Sequence, residues 1–115
     1  MSHLLPSYLH KLRKQWGLSQ PDIASLLGIT GSALSRFENL SRRPNARLIV
    51  GAEVLFGHSA KDVFPAFYRD IERTIVSRAR TQHARLESKA NPASREKLRF
   101  LSEIIERASQ TTLNV

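Results

Sequence analysis

The sequence predicts an all-α protein, and three observations support that prediction. Residues that cap helices recur along the chain, apolar residues return every three or four positions, and glycine or proline stands where several helices would end. The chain has 115 residues, of which 41% are hydrophobic. That length and composition suit one small domain with an apolar core, together with an extension.

The stretch Ser19–Asn39 has the clearest local pattern. Ser19 and Asp22 form a capping pair, because both side chains can satisfy backbone N–H groups at a helix start. Gly28 suits the left-handed residue that closes such a helix, and Thr30 can cap a second one. Two short helices joined by a tight glycine-containing turn form a helix-turn-helix. The residues expected to point inward are Ile23, Ala24, Leu26, Leu27, Ala33, Leu34 and Phe37.

Another helix is predicted on the N-terminal side of this motif. Its apolar residues step by four, three and four positions, as the core face of a helix requires: Leu5, Leu9, Leu12 and Trp16. Gly17 ends the helix, and Trp16 is expected to anchor it in the core.

Two further helices are predicted after the motif. Asn45 can cap a helix over Ala46–Phe56, and Ser59 can cap a short fifth helix. Pro65 disfavours helical geometry at the residue before it, so a boundary is expected there. The sequence thus predicts one domain over residues 1–64 and a helical extension over residues 65–115.

The extension should contain two helices. In the first, Phe67, Ile71 and Ile75 form a stripe that would dock on the preceding domain or on a second subunit. The stripe then fades over residues 78–89, which indicates either a solvated basic face or an arm that contacts phosphates. Asn91-Pro92 begins the last helix. Its apolar stripe must pack on the long helix or on a partner chain, and it includes Leu98, Phe100, Leu101, Ile104, Ile105 and Ala108.

Charge and composition narrow the function classes. The formal net charge is +8 and there is no cysteine, so polyanions are attracted and disulfides and thiolate metal sites are excluded. No apolar run reaches transmembrane length and no signal-peptide pattern occurs, so a soluble, cytoplasmic protein is expected. The histidines lack metal-ligand spacing, and no phosphate loop or nucleophile elbow is present. We therefore expect neither an enzyme nor a bound cofactor or metal.

The chain resembles the lambda-repressor/Cro-like (Xre-type) helix-turn-helix family. The matching residues lie in one register from about Leu5 to Phe64: Leu12-Arg13, Gly17-Leu18-Ser19-Gln20, Ile23-Ala24, Gly28-Ile29-Thr30, Leu34–Asn39, Pro44 and Ser59–Phe64. The resemblance implies a five-helix lambda-repressor-like DNA-binding domain followed by a C-terminal helical extension. It also implies a structural pair between Arg13 and Glu38.

The resemblance places the base-reading positions at Gly31, Ser32 and Arg36, on a recognition helix that spans Gly31–Asn39 and lies in the major groove. Arg36 is the main candidate, because a guanidinium can bond to both O6 and N7 of guanine. Gly31 departs from the polar residue usual at its position and has no side chain with which to read. Positioning contacts with phosphates are expected from Gln20, Ser35, Asn39, Arg42 and Arg43.

The function that these expectations describe is that of a sequence-specific transcriptional regulator, a repressor that binds double-stranded DNA as a homodimer. Dimer or partner contacts are assigned to Leu98, Leu101, Ile104 and Ile105. Two alternatives stay open. One is a DNA-binding antitoxin whose C-terminal helices hold a toxin, and the other is a protein-interaction module that has lost base reading, as Gly31 and Ser32 would permit.

Overall fold

The computed structural model describes residues 7–89 and 91–113, without the side chains of residues 111–113. Seven α helices and one 3-10 turn occur in these ranges, and no strand does, which confirms the all-α prediction. The helices are α1 (Leu9–Gln15), α2 (Gln20–Leu27), α3 (Gly31–Glu38), α4 (Ala46–Phe56), α5 (Ala60–Val63), α6 (Pro65–Glu87) and α7 (Arg95–Leu113). The 3-10 turn, Pro92–Ser94, leads directly into α7. Leu5, which was expected to begin the first apolar stripe, lies outside the described residues.

The predicted helix caps are present. Asp22 N donates to Ser19 Oγ at 3.2 Å, and Ser19 N donates to Asp22 Oδ2 at 2.9 Å, so the two residues satisfy each other's backbone groups. Gly28 has φ +72°, a left-handed conformation that is strained for residues with a Cβ. Side-chain oxygens also cap α3, α4 and α5, from Thr30, Asn45 and Ser59.

The chain divides into two compact units, one up to Arg69 and one from Asp70 onward. The core of the first unit comes from α1 to α5 and from the residue that follows α5: Leu9, Ile23, Ala24, Leu27, Leu34, Phe37, Leu48, Ala52, Val63 and Phe64. Tyr8 N donates to Val63 O at 2.7 Å, which ties the start of α1 to the end of α5. This core holds α2 and α3 in a fixed relation.

Two predicted core residues are at the surface instead. Trp16 is 69% exposed, because α1 ends at Gln15 and Trp16 caps it where the chain turns away through Gly17. Leu26 is 64% exposed, because its neighbour Leu27 occupies the inward position of α2 and one residue rotates the helix by about 100°. The predictions for Trp16 and Leu26 were therefore wrong.

The second unit contains most of α6 and all of α7. In this unit the least exposed residues of α6 recur at intervals of four and three positions: Glu72, Val76, Ala79, His83 and Leu86. The same spacing occurs just before α7 and along it: Ser94, Leu98, Leu101, Ile105 and Ala108. His83 Nε2 and Ser102 Oγ are 3.0 Å apart and share a hydrogen bond. Because His83 is near the end of α6 and Ser102 in the first half of α7, the two helices form an antiparallel hairpin.

This hairpin changes how the C-terminal predictions are understood. The buried stripe of α6 continues through residues 78–89 with small and polar members such as Ala79, which is only 3% exposed. Leu101 is 7% exposed, and Leu98 and Ile105 are half-buried, so these three residues pack within their own chain. Ile104 lies at the edge of the same stripe. No helix in the described part of the chain is both long and apolar enough to cross a membrane.

Candidate nucleic-acid interface

A buried ion pair joins α1 to the end of α3. Arg13 Nε donates to Glu38 Oε2 at 2.8 Å, and Arg13 Nη2 donates to Glu38 Oε1 at 3.1 Å. Both side chains are about 5% exposed. Arg13 Nη1 also donates to the carbonyl oxygen of Leu18 at 2.9 Å, in the turn before α2. One guanidinium thus connects α1, the approach to α2 and the C-terminal end of α3, and the implied Arg13–Glu38 pair is present.

His10 adds to this cluster through a contact that sequence analysis did not predict. Its Nδ1 is 3.1 Å from Arg13 Nη2. Arginine can only donate, so Nδ1 accepts where it contacts Arg13, and the same nitrogen is 3.5 Å from Glu38 Oε1. The signal in the sequence is the spacing, because residues three apart lie on the same face of a helix.

Gln20 lies at the first position of α2, and its amide is held by the same carboxylate. Gln20 Nε2 donates to Glu38 Oε1 at 2.9 Å, a contact that sequence reasoning missed. An amide nitrogen carries two hydrogens, so the second N–H of Gln20 can donate to another acceptor while Glu38 holds the side chain in place. Glu38 therefore connects the predicted positioning residue Gln20 to the helix that is expected to read bases.

The predicted reading residues lie together on α3. Gly31, Ser32 and Arg36 are exposed and Ser35 is half-buried, whereas Leu34 and Phe37 are buried on the opposite face. Apart from its chain neighbours and the backbone of α3 itself, no described residue has a heavy atom within 4 Å of a Cβ built on Gly31, and Gly31 does not have a positive φ. The space beside the start of α3 is therefore open, and Arg36 has the longest polar side chain on this face.

The loop after α3 keeps its basic residues close to the end of that helix. Arg42 N donates to the carbonyl oxygen of Arg36 at 3.2 Å, and the Arg42 guanidinium lies 5.6 Å from the centre of the Phe37 ring. Asn39 Oδ1 accepts from Ser41 N at 3.0 Å, which leaves the two amide N–H groups of Asn39 to donate. Arg43 is exposed in the same loop. The predicted site residues from Gln20 to Arg43 thus all belong to the α2–α3 region, whereas Leu98, Leu101, Ile104 and Ile105 belong to the second unit.

Two carboxyl groups near this region have lowered pKa values. Burial acts to raise the pKa of Glu38, but hydrogen bonds from Arg13 and Gln20 and the Arg13 charge outweigh burial, so the pKa lies below its ordinary value. The pKa of Asp22 is lowered by the hydrogen bond from the Ser19 backbone N–H. Both groups are therefore ionised at neutral pH: the Asp22 carboxylate caps α2, and the Glu38 carboxylate connects α3 to Arg13 and Gln20.

A family model described as "Helix-turn-helix" matches residues 9–57 of the chain. That segment runs from the start of α1 to Gly57, the residue that closes α4. No curated protein and no solved structure matches the chain. Residues 9–57 therefore form a domain of the Xre/lambda repressor-like helix-turn-helix type, a family of DNA-binding regulators.

Proposed function

We propose that this protein is a sequence-specific transcriptional repressor that binds its operator as a homodimer, with α3 in the major groove. The observation that supports this most is the exposed face of Gly31, Ser32 and Arg36 beside an amide, Gln20, that Glu38 already holds in place. A reading face whose neighbouring phosphate contact is pre-organised loses less side-chain entropy when it binds. The exposed Arg42 and Arg43 supply charge at the other end of α3.

Within this proposal the residues have different roles. Arg36 reads guanine, while Ser32 contacts a base with little discrimination. Gln20, Ser35, Asn39, Arg42 and Arg43 contact phosphates or sugars and set the position of the helix. Because Gly31 has no side chain, sequence preference should be concentrated in the few base pairs within reach of Arg36.

Selection of bound sites from a random DNA pool tests this directly. We expect a palindromic site whose half-sites are separated by about one helical turn, or a multiple of it. The Arg36→Ala variant should lose about 1–3 kcal/mol of discrimination at one guanine in each half-site. The Arg43→Ala variant should instead weaken binding to all sequences and reduce the salt dependence by about one counterion.

Arg73→Ala is a matched control, because it removes one exposed arginine from the second unit. If wild type and Arg36→Ala recover the same sequences with the same weak affinity, the proposal of sequence-specific reading is wrong. A reporter with the selected site placed over its promoter then separates repression from activation. A lack of symmetry in the selected sites, together with a monomer in sedimentation, would count against the homodimer.

A further inference from the structure

One side of the α6–α7 hairpin combines apolar and basic side chains. Its members each lie one position before a residue of the buried stripe: Ile71, Ile75, Arg78, Gln82 and Arg85 on α6, and Lys97, Phe100, Ile104 and Arg107 on α7. One residue rotates an α helix by about 100°, so these side chains project from one flank of each helix. We call this set the basic-apolar face.

The two flanks lie on the same side of the hairpin. Two antiparallel helices are related by a two-fold axis, which is perpendicular to both helices and to the line that joins them. That operation keeps equivalent flanks on the same side of the pair. The nine residues therefore form one surface on the second unit rather than two separate ones.

Nothing in the described part of the second unit accounts for the exposed apolar residues of this surface. Ile71 and Ile75 are close to half exposed, and Phe100 is 61% exposed. Exposed apolar patches rimmed by polar groups are typical of binding sites, and here Ile71 with Ile75 and Phe100 with Ile104 form two such patches. The charged members of the face are all basic, whereas the acidic residues of the two helices occupy other positions: Asp70, Glu72, Glu87, Glu96, Glu103 and Glu106. Acidic residues are thus absent from this face, whereas arginines such as Arg73 and Arg80 also occur elsewhere on the hairpin.

The distribution of charge decides between possible occupants. Arg78 is five residues before His83 and Arg107 is five after Ser102, so the hydrogen bond between His83 and Ser102 puts the two arginines at the same level. A second copy that paired Ile71 and Ile75 with Phe100 and Ile104 about a two-fold axis would bring the arginines of both copies together at the centre. Burying like charges in this way is costly. Phosphates of DNA would satisfy the arginines but would leave Phe100 and the isoleucines unused.

We propose that the basic-apolar face binds a different protein through an amphipathic helix whose apolar stripe is flanked by glutamate or aspartate. The apolar side chains of such a helix would cover Ile71, Ile75, Phe100 and Ile104, and its carboxylates would meet Arg78, Arg85 and Lys97. Helices commonly bind to other proteins in this way, through apolar residues spaced by three and four positions. The proposal is independent of base reading by α3.

The test uses the full chain and a fluorescently labelled synthetic helical peptide with a leucine stripe flanked by glutamates. A second peptide has lysine at every glutamate position. Fluorescence anisotropy should show saturable binding of the glutamate peptide, weakened by salt, and no binding of the lysine peptide. The Arg78→Glu/Arg85→Glu variant should bind the glutamate peptide at least about tenfold more weakly.

Matched controls keep the result interpretable. Arg73→Glu/Arg80→Glu makes the same charge change on the opposite flank of α6 and should alter the affinity by less than about twofold. Ile75→Ala/Phe100→Ala should abolish binding, whereas Val50→Ala/Val54→Ala, which truncates exposed apolar residues of α4, should not. Circular dichroism establishes that each variant keeps its helices, and Arg36→Ala should bind the peptide as wild type does.

Several results would overturn the proposal. Equal binding of both peptides would show that acidic charge is not required. Binding of neither peptide would show that the face does not bind an acidic amphipathic helix. Dissociation of a wild-type dimer by Ile75→Ala/Phe100→Ala, without peptide binding, would identify a second copy as the occupant. A loss of DNA affinity in Arg78→Glu/Arg85→Glu but not in Arg73→Glu/Arg80→Glu, again without peptide binding, would identify the face as a phosphate-contacting arm.

Discussion

Glu38→Ala should destabilise the helix-turn-helix unit strongly, because it leaves a buried guanidinium without its carboxylate. Arg13 is 5% exposed and would lose both of its bonds to Glu38, keeping only the carbonyl oxygen of Leu18 and the ring of His10. Gln20 would lose its acceptor as well. Removal of one partner from a buried ion pair typically costs about 3–5 kcal/mol. For a unit of this size, that loss corresponds to a fall in Tm of at least about 10 °C.

Urea unfolding followed by circular dichroism gives the free energy of unfolding for this test. The control is Arg13→Met/Glu38→Leu, which replaces the pair with apolar side chains and should be close to wild type, since no charge is left unpaired. A double-mutant cycle then gives the coupling between Arg13 and Glu38. A loss below about 1 kcal/mol for Glu38→Ala, or simple additivity of Arg13→Met and Glu38→Leu, would refute the role assigned to this pair.

Three further predictions concern pH, capping and the hairpin. The pKa of Glu38 is lowered in the folded state, so the stability that its charge contributes to the fold is fully present above the unfolded pKa of about 4.3. That stability is lost as pH falls through the folded pKa. The free energy of unfolding should therefore fall less steeply with decreasing pH in Glu38→Gln than in wild type. Ser19→Ala should cost about 1 kcal/mol in urea unfolding, because Asp22 N loses its acceptor. Leu101→Ala should cost about 2–5 kcal/mol at every protein concentration, whereas a dimer contact would make the loss depend on concentration.

Local sequence patterns predicted the α2–α3 region well. Ser19, Gly28 and Thr30 act within a few residues of their own positions, so their effects can be read from the chain without knowledge of the fold. The Arg13–Glu38 pair spans 25 residues, and it was anticipated through family resemblance rather than through any pattern of spacing. The Gln20–Glu38 bond has no local signal, because a glutamine at the start of a helix is compatible with many partners.

The apolar patterns predicted the helices, but they did not always predict which side chains of a helix are buried. Trp16 continues the spacing of Leu9 and Leu12, yet the helix ends just before it and its ring is left at the surface. In α6 the contact with α7 runs through Ala79 and His83. Small and polar residues of this kind do not stand out as an apolar stripe, although their spacing by three and four positions is regular.

The open space around Gly31 has a consequence for redesign. No described residue outside α3 and its adjoining turn comes within 4 Å of a Cβ placed there, and the backbone is one that any residue can adopt. The neighbouring Ser32 is also exposed, while the core of the unit is built from other residues. A library that varies positions 31 and 32 should therefore yield folded proteins almost throughout, so this chain offers a starting scaffold on which new operator preferences can be selected without rebuilding the fold.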